Sequence, residues 1–268
     1  MVDSQADLLV IGDGGFGTCL ALLLARSGRR VRLWSAFKER SEELRRDREN
    51  KRYLPGIPLP PEIELVADPF AAAADVGLVI SVVPTQYLRA AAQRFEDALD
   101  GRVPIVSATK GLEIETFKRP SQILREVLGE RPLAVLSGPS HAEEVARGLP
   151  ASVVVASADE ALAEHAQTVL SGGTFRVYTS RDPKGVELAG ALKNVIAIAA
   201  GISDGLGLGD NAKAALLTRG MVEMARYGAH EGCLPETFFG LAGFGDLVTT
   251  CCSKHSRNRA VGERIGRG

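Results

Sequence analysis

Three groups of residues in this chain have the types and spacing for chemistry. The first is Gly12-Asp13-Gly14-Gly15-Phe16-Gly17-Thr18, which follows the apolar run Leu8-Leu9-Val10-Ile11 and leads into a helical stretch at 18–26. A G-x-G-x-x-G turn between strand and helix holds a dinucleotide pyrophosphate against bare backbone. Gly12 allows the tight turn, Gly14 the close approach of phosphate, and Gly17 the close packing of helix on strand. The helix N-terminus adds unpaired N–H groups and the positive end of its dipole.

The second is Lys193, set in residues 186–200 (VELAGALKNVIAIAA), which are apolar nearly all round, as in a helix buried in a core. A lysine with little water to reach has a lowered pKa and is ready for proton exchange. Its neighbours at helical spacing, Ala189, Gly190, Ile196 and Ala197, leave room for a ligand, and Asn194 is the adjacent polar group. The third group is the glycine-rich run 240–250 with Asp246, followed by Ser256-Arg257-Asn258-Arg259. Asp246 could compensate Lys193 or bond a substrate hydroxyl. Ser256 has the type of an N-cap, which places Arg257 and Asn258 in a first helical turn, where guanidinium, amide and helix dipole suit a phosphate dianion. The same residues also read as a capped helix with a solvated basic end.

These groups need elements to position them. Strand-like runs at 31–34, 78–83, 103–107, 133–136, 152–156 and 175–178 alternate with helical stretches such as 85–99. The alternation predicts an α/β fold: a Rossmann-type, doubly wound, mostly parallel sheet covered on both faces. From Asp182 only helix-length segments follow, at 183–201, 211–228 and from 257 onward. A dinucleotide-binding domain over 1–180 and an all-α substrate-binding domain over 181–268 are therefore expected, with the substrate between them. Residues 53–61 read as a proline-rich excursion and 205–209 as a loop.

Ligands of open α/β sheets bind at the carboxyl ends of strands. Three groups fall there: Pro84-Thr85-Gln86, the run 109–113, and Ser137-Gly138-Pro139-Ser140-His141-Ala142. Lys110 would project into the crevice beside the cofactor. Gly138 and Ser140 precede a helix beginning near His141, so backbone donors and a hydroxyl could hold a substrate oxygen.

At 268 residues and 45% hydrophobic, the chain has material for two domains and a sizeable core. A net charge of −1 provides no global pull towards nucleic acid or an anionic membrane. No apolar stretch is read as a membrane span, and residues 1–7 carry no leader pattern, so a cytoplasmic location is expected. Cys19, Cys233, Cys251 and Cys252 fit no zinc spacing and read as reduced thiols; no metal is expected.

Dinucleotide choice is addressed after the second strand, where NAD-preferring sites place a carboxylate for the ribose hydroxyls. Here the residues are Trp34-Ser35-Ala36-Phe37-Lys38. Lys38 and Arg40 could instead meet a 2′-phosphate, favouring NADP(H) or dual use, or they are solvated charges at a helix start. Asp13, between the first two glycines, brings negative charge close to the phosphates.

Together these motifs resemble one family, the bacterial glycerol-3-phosphate dehydrogenases. The carrying runs are GDGGFGT (12–18), NKRYLPG (50–56), SVVPTQ (81–86), ATKGLE (108–113), SGPSHAEEVA (137–146), KNVIAIAAGISDGLGLGDNAKAALLTRG (193–220) and GLAGFGDLVTTCCSKHSRNRAVGE (240–263). The resemblance covers the whole chain, and the last two runs are its specific part.

The resemblance implies interconversion of dihydroxyacetone phosphate and sn-glycerol 3-phosphate with NADP or NAD, supplying phospholipid synthesis. Lys193 matches the catalytic lysine, and Lys110 a lysine touching cofactor and substrate. Gly138, Ser140 and Asp246 match substrate-binding positions, and Ser256, Arg257 and Asn258 the phosphate-end cluster. Gly15, Phe16, Ala142 and Arg257 match cofactor contacts, beside the turn glycines Gly12, Gly14 and Gly17. A homodimer is expected as well. Relatives have a basic residue or histidine near Ser35-Ala36, which Ala36 does not supply. They also continue for several more helices, so the helical domain is expected to be truncated at Gly268. Two other readings stay open: a hydroxyacid dehydrogenase of similar architecture, with Arg257 on a carboxylate and His141 as base, and a non-catalytic dinucleotide-binding remnant.

Overall fold

The computed structural model describes residues 7–268, so the reading of residues 1–6 as lacking a leader lies outside the described residues. Eight strands form one sheet: β1 (Asp7–Ile11), β2 (Val31–Trp34), β3 (Ile63–Val66), β4 (Val76–Ser81), β5 (Ile105–Ser107), β6 (Leu133–Ser137), β7 (Ala151–Ala156) and β8 (Phe175–Ser180). Helices α1 (Gly15–Arg26), α2 (Lys38–Asp47), α3 (Pro69–Ala73), α4 (Thr85–Gln93), α5 (Pro120–Leu128), α6 (Ala142–Ala146) and α7 (Glu160–Leu170) connect them. After β8 come α8 (Pro183–Gly205), α9 (Gly209–His230), α10 (Pro235–Phe239), a π-helical turn (Leu241–Gly245), α11 (Asp246–Cys252) and α12 (Arg257–Arg267).

The strand order is β3-β2-β1-β4-β5-β6-β7-β8. The chain leaves β3 at one edge and re-enters beside β1, which puts the switch point, and hence the ligand crevice, between the carboxyl ends of β1 and β4. All pairings are parallel except that β6 and β7 run antiparallel. The reason is the connection. Five-residue α6 is about 7.5 Å long, too short to carry the chain back along a strand of about 20 Å. β3 is a strand the sequence analysis did not pick out; it has only four residues and follows the proline-rich excursion.

One apolar layer, with Leu20, Leu33 and Ile80, covers one face of the sheet, and a second, with Trp34, Phe95 and Ile123, covers the other. Trp34 and Phe95 meet edge to face at 4.9 Å, a favoured aromatic geometry. The helical part has its own core around Leu188, Met221, Phe238 and Leu247.

By length and hydropathy α8 does reach a membrane span, contrary to the reading that no stretch does, and 61% of its apolar window is buried inside the protein. Its N-cap is Asp182, whose side chain accepts from Gly185 N–H. Glu187, 3% exposed, accepts from Arg119 Nη1 at 2.5 Å and from the Ser121 N–H and hydroxyl at 2.7 and 2.6 Å. That buried carboxylate fastens α8 to α5 and so to the sheet. On its other side α8 packs against α12 with almost no space between backbones. A Cβ at Gly201 would run into the Arg259 carbonyl, and one at Gly262 into the Ile198 carbonyl.

Candidate active site

Lys193 lies mid-way along α8 and is 6% exposed. Its Nζ is 2.5 Å from Asp246 Oδ1 and donates to Thr250 Oγ1 at 2.8 Å. Asp246 opens α11 directly after the π-helical turn. That turn needs glycine: a Cβ at Gly243 would run into the Phe238 backbone. Thr250 stands one helical turn beyond Asp246, on the same face, and its hydroxyl donates to the Asp246 carbonyl at 2.6 Å.

Lys110 completes the cluster from the sheet side. It follows β5, with its carbonyl accepting from Thr85 Oγ1 at 2.9 Å. Its Nζ reaches Asp246 Oδ2 at 2.7 Å and the Gly138 carbonyl at 3.1 Å. Asp246 thus gives one oxygen to each lysine, and the cluster keeps one net positive charge. Gly190 makes this fit possible, since a Cβ there would lie 3.1 Å from Ser137 Oγ and 3.6 Å from Lys110 Cγ.

Burial pushes the Lys193 ammonium down to about 8; the Lys110 charge adds to the drop, and Asp246 acts against it. For Asp246 burial raises the pKa, but the two ammonium groups outweigh it and hold the carboxyl below its usual range. A carboxylate between two cations and a lysine titrating near neutrality is an arrangement for moving a proton to or from a substrate oxygen.

The loop after β6 forms the wall. Gly138 has φ +137°, and a Cβ there would sit 2.9 Å from Val153 Cα. Ser140 donates its hydroxyl to the Gly138 carbonyl at 3.1 Å, so its proton is engaged within the loop. The buried Ser137 Oγ and His141 Nε2 have no hydrogen-bond partner among the described residues. Such atoms are costly to leave unsatisfied. Burial pushes the His141 pKa down. The His141 ring is 5.7 Å from that of His255, which brings the loop before α12 against the loop after β6.

Ser256 caps α12 as expected, accepting from Arg259 N–H at 3.2 Å. Arg257 and Asn258 occupy the first turn, Arg257 exposed and without a carboxylate partner among the described residues. No direct contact joins Arg257 to Lys193 among the described residues. Arg259 is committed elsewhere, to Asp204 at 2.7 Å.

The glycine turn fits a dinucleotide. Gly12 has φ +115° and lies against the Val82 carbonyl, and a Cβ at Gly17 would run into the Gly12 carbonyl. Gly14 has open space on its Cβ side, and no side chain caps the start of α1. Bare N–H groups therefore face an open crevice, as a pyrophosphate requires. Gly15 and Ala142 approach each other across the crevice, a Cβ at Gly15 lying 3.7 Å from that of Ala142, and Phe16 packs on the same core layer as Ala142. Among the described residues no group of His, Cys, Asp or Glu could hold a metal.

Several contributors were not legible beforehand. Thr250 could have been found from its spacing to Asp246, had that run been read as a helix. Asn50 opens the NKRYLPG run, but its role was not read from it: its Nδ2 donates to the Asp13 carbonyl and Thr18 Oγ1, both at 2.8 Å, so the segment just before the proline-rich excursion clamps the glycine turn. Arg40, read as either a 2′-phosphate partner or a solvated charge, is paired with Asp13 at 2.7 Å, and Lys38 is a solvated charge with an 80% exposed side chain, 4.0 Å from Glu42.

Residues 7–163 match the sequence pattern of the NAD-dependent glycerol-3-phosphate dehydrogenase N-terminus, and residues 182–268 that of its C-terminus. A glycerol-3-phosphate dehydrogenase (NAD(P)+) of Moorella thermoacetica is 52% identical over 98% of this chain and 78% of its own length. One from Clostridium acetobutylicum is 49% identical over 96% of this chain and 78% of its own length. The crystal structure of glycerol-3-phosphate dehydrogenase from Coxiella burnetii superposes with a TM-score of 0.95 at 42% identity, covering 98% of this chain and 81% of that one. The chain belongs to the NAD-dependent glycerol-3-phosphate dehydrogenase family.

Proposed function

We propose that the protein interconverts dihydroxyacetone phosphate and sn-glycerol 3-phosphate with NAD(H) or NADP(H), supplying glycerol 3-phosphate for phospholipid synthesis. The observation that carries this reading is the buried Lys193–Asp246–Lys110 cluster at the carboxyl end of the sheet. A nicotinamide dinucleotide held at the glycine turn would supply or accept the hydride at carbon 2. Lys193 gives a proton to the oxygen on that carbon in reduction and takes it back in oxidation. Lys110 lies beside the same oxygen and adds positive charge where negative charge develops. Asp246 fixes both ammonium groups and keeps Lys193 protonated at neutral pH. Gly138 and Ser140 line the substrate, and Ser256, Arg257 and Asn258 take its phosphate. Gly12, Gly14, Gly15, Phe16 and Gly17 hold the pyrophosphate side of the cofactor, and Ala142 and Arg257 are further cofactor contacts.

In this reading residues 1–180 bind dinucleotide and residues 181–268 bind substrate, which the change from sheet to helices after Ser180 supports. A cytoplasmic location and a homodimer belong to the same reading, and light scattering of the purified chain checks the second. The test of the activity is a matrix of NADH or NADPH against dihydroxyacetone phosphate, followed by absorbance. Substrate-dependent loss of reduced nicotinamide is expected, and its absence with both cofactors would reject the reading.

A further inference from the structure

The end of β2 has no carboxylate of its own, yet a carboxylate stands there. Asp13, in the glycine turn, sends its side chain across to β2, where Oδ2 accepts from Ser35 Oγ at 2.9 Å and from Arg40 Nε at 2.7 Å. Ser35 directly follows β2 and is 1% exposed. The Asp13 backbone is held too, by the hydrogen bond from Asn50 to its carbonyl. Arg40 is kept in place by lying over the Tyr53 ring, 4.7 Å from its centroid. Both donors meet Oδ2, and Oδ1 has none among the described residues.

We infer that Asp13 sets dinucleotide choice, favouring NAD(H) over NADP(H). The inference rests on the dehydrogenase reading and deepens it. The adenosine ribose of a dinucleotide lies at the end of the second strand, where a carboxylate accepts from its 2′-hydroxyl and an arginine accommodates a 2′-phosphate. Asp13 supplies that carboxylate from the turn, with Oδ1 open to the ribose. It also neutralises Arg40, the cation best placed for a 2′-phosphate. A phosphate dianion would meet like charge, and release of Arg40 would cost the buried side of an ion pair. Arg94 donates to the Ala36 carbonyl at 2.6 Å and lies over the Trp34 ring, and Lys38 is solvent-exposed beside Glu42.

The test is equilibrium binding of NADH and NADPH, read by nicotinamide fluorescence, on the wild type, Asp13→Ala, Asp13→Asn and the double variant Asp13→Ala/Arg40→Ala. The wild type should bind NADH at least about tenfold tighter than NADPH, a gap of about 1.4 kcal/mol. Asp13→Ala should tighten NADPH by about tenfold and weaken NADH, with Arg40 now free for the phosphate, and the double variant should lose the gain. Asp13→Asn keeps the hydrogen-bonding shape and should show the same reversal if the alanine variant does not fold. A wild type that prefers NADPH, or an Asp13 variant that weakens both cofactors equally, overturns the assignment while leaving the dehydrogenase reading intact. Binding of neither cofactor by the wild type overturns both.

Discussion

Lys110 and Asp246, 136 residues apart in the chain, meet at 2.7 Å, and the second Asp246 oxygen holds Lys193 at 2.5 Å. One carboxylate therefore joins the loop after β5 of the sheet to α8 of the helical part. Sheet and helices are fastened a second time, away from the crevice, by Glu187.

Replacing Asp246 by Asn should affect stability and pH dependence together. Two ammonium groups lose their shared counter-charge in a buried site, and breaking such a pair costs about 3–5 kcal/mol. The melting temperature should fall accordingly. Because Asp246 raises the Lys193 pKa, the pH limb of reduction should also move to lower pH, which rate profiles of the folded variant would show.

The two directions of reaction should have opposite pH limbs. Reduction needs the Lys193 ammonium, so its kcat/KM should decline as pH rises through about 8; oxidation needs the neutral amine, and its kcat/KM should rise through the same value. Profiles of kcat/KM in both directions check this, and limbs of the same sign would contradict it.

Gly17 and Gly14 should separate folding from binding. A Cβ at Gly17 meets the Gly12 carbonyl, whereas a Cβ at Gly14 meets nothing within 4 Å. Gly17→Ala should lower the melting temperature. Gly14→Ala should leave it nearly unchanged yet fill the side open to the pyrophosphate, weakening NADH binding by about tenfold or more. Thermal melts and fluorescence titration of the two variants distinguish the effects.

Glu187→Gln should act on stability alone. It keeps the volume but loses the charge that accepts from Arg119 and Ser121, for a loss of about 1–3 kcal/mol. Turnover per folded molecule should stay within about twofold, as kinetics below the melting transition would show.

The parts of this molecule that a one-dimensional pattern controls were legible beforehand. The glycine turn, the apolar surroundings of Lys193 and the Ser256 cap all depend on near neighbours in sequence, and so does most of the β/α alternation. What escaped depends on distant partners. The direction of β7 follows from a connecting helix too short to recross the sheet. The Asp13–Arg40 pair links residues 27 apart, from the glycine turn and α2, and no local pattern announces it. Asn50 and Glu187 lie in runs that stand out in the sequence, but their partners are distant, and only the fold brings them to Asp13 and Arg119.

The central claim is that Lys193 moves the proton. Oxidation of NADH and NADPH with dihydroxyacetone phosphate by the wild type, Lys193→Ala and His141→Ala tests it most directly. The wild type should turn over, Lys193→Ala should lose about 10²–10⁴ in kcat, and His141→Ala should stay within about tenfold of the wild type. A folded Lys193→Ala variant with kcat near that of the wild type, or loss of turnover in His141→Ala alone, would contradict the account.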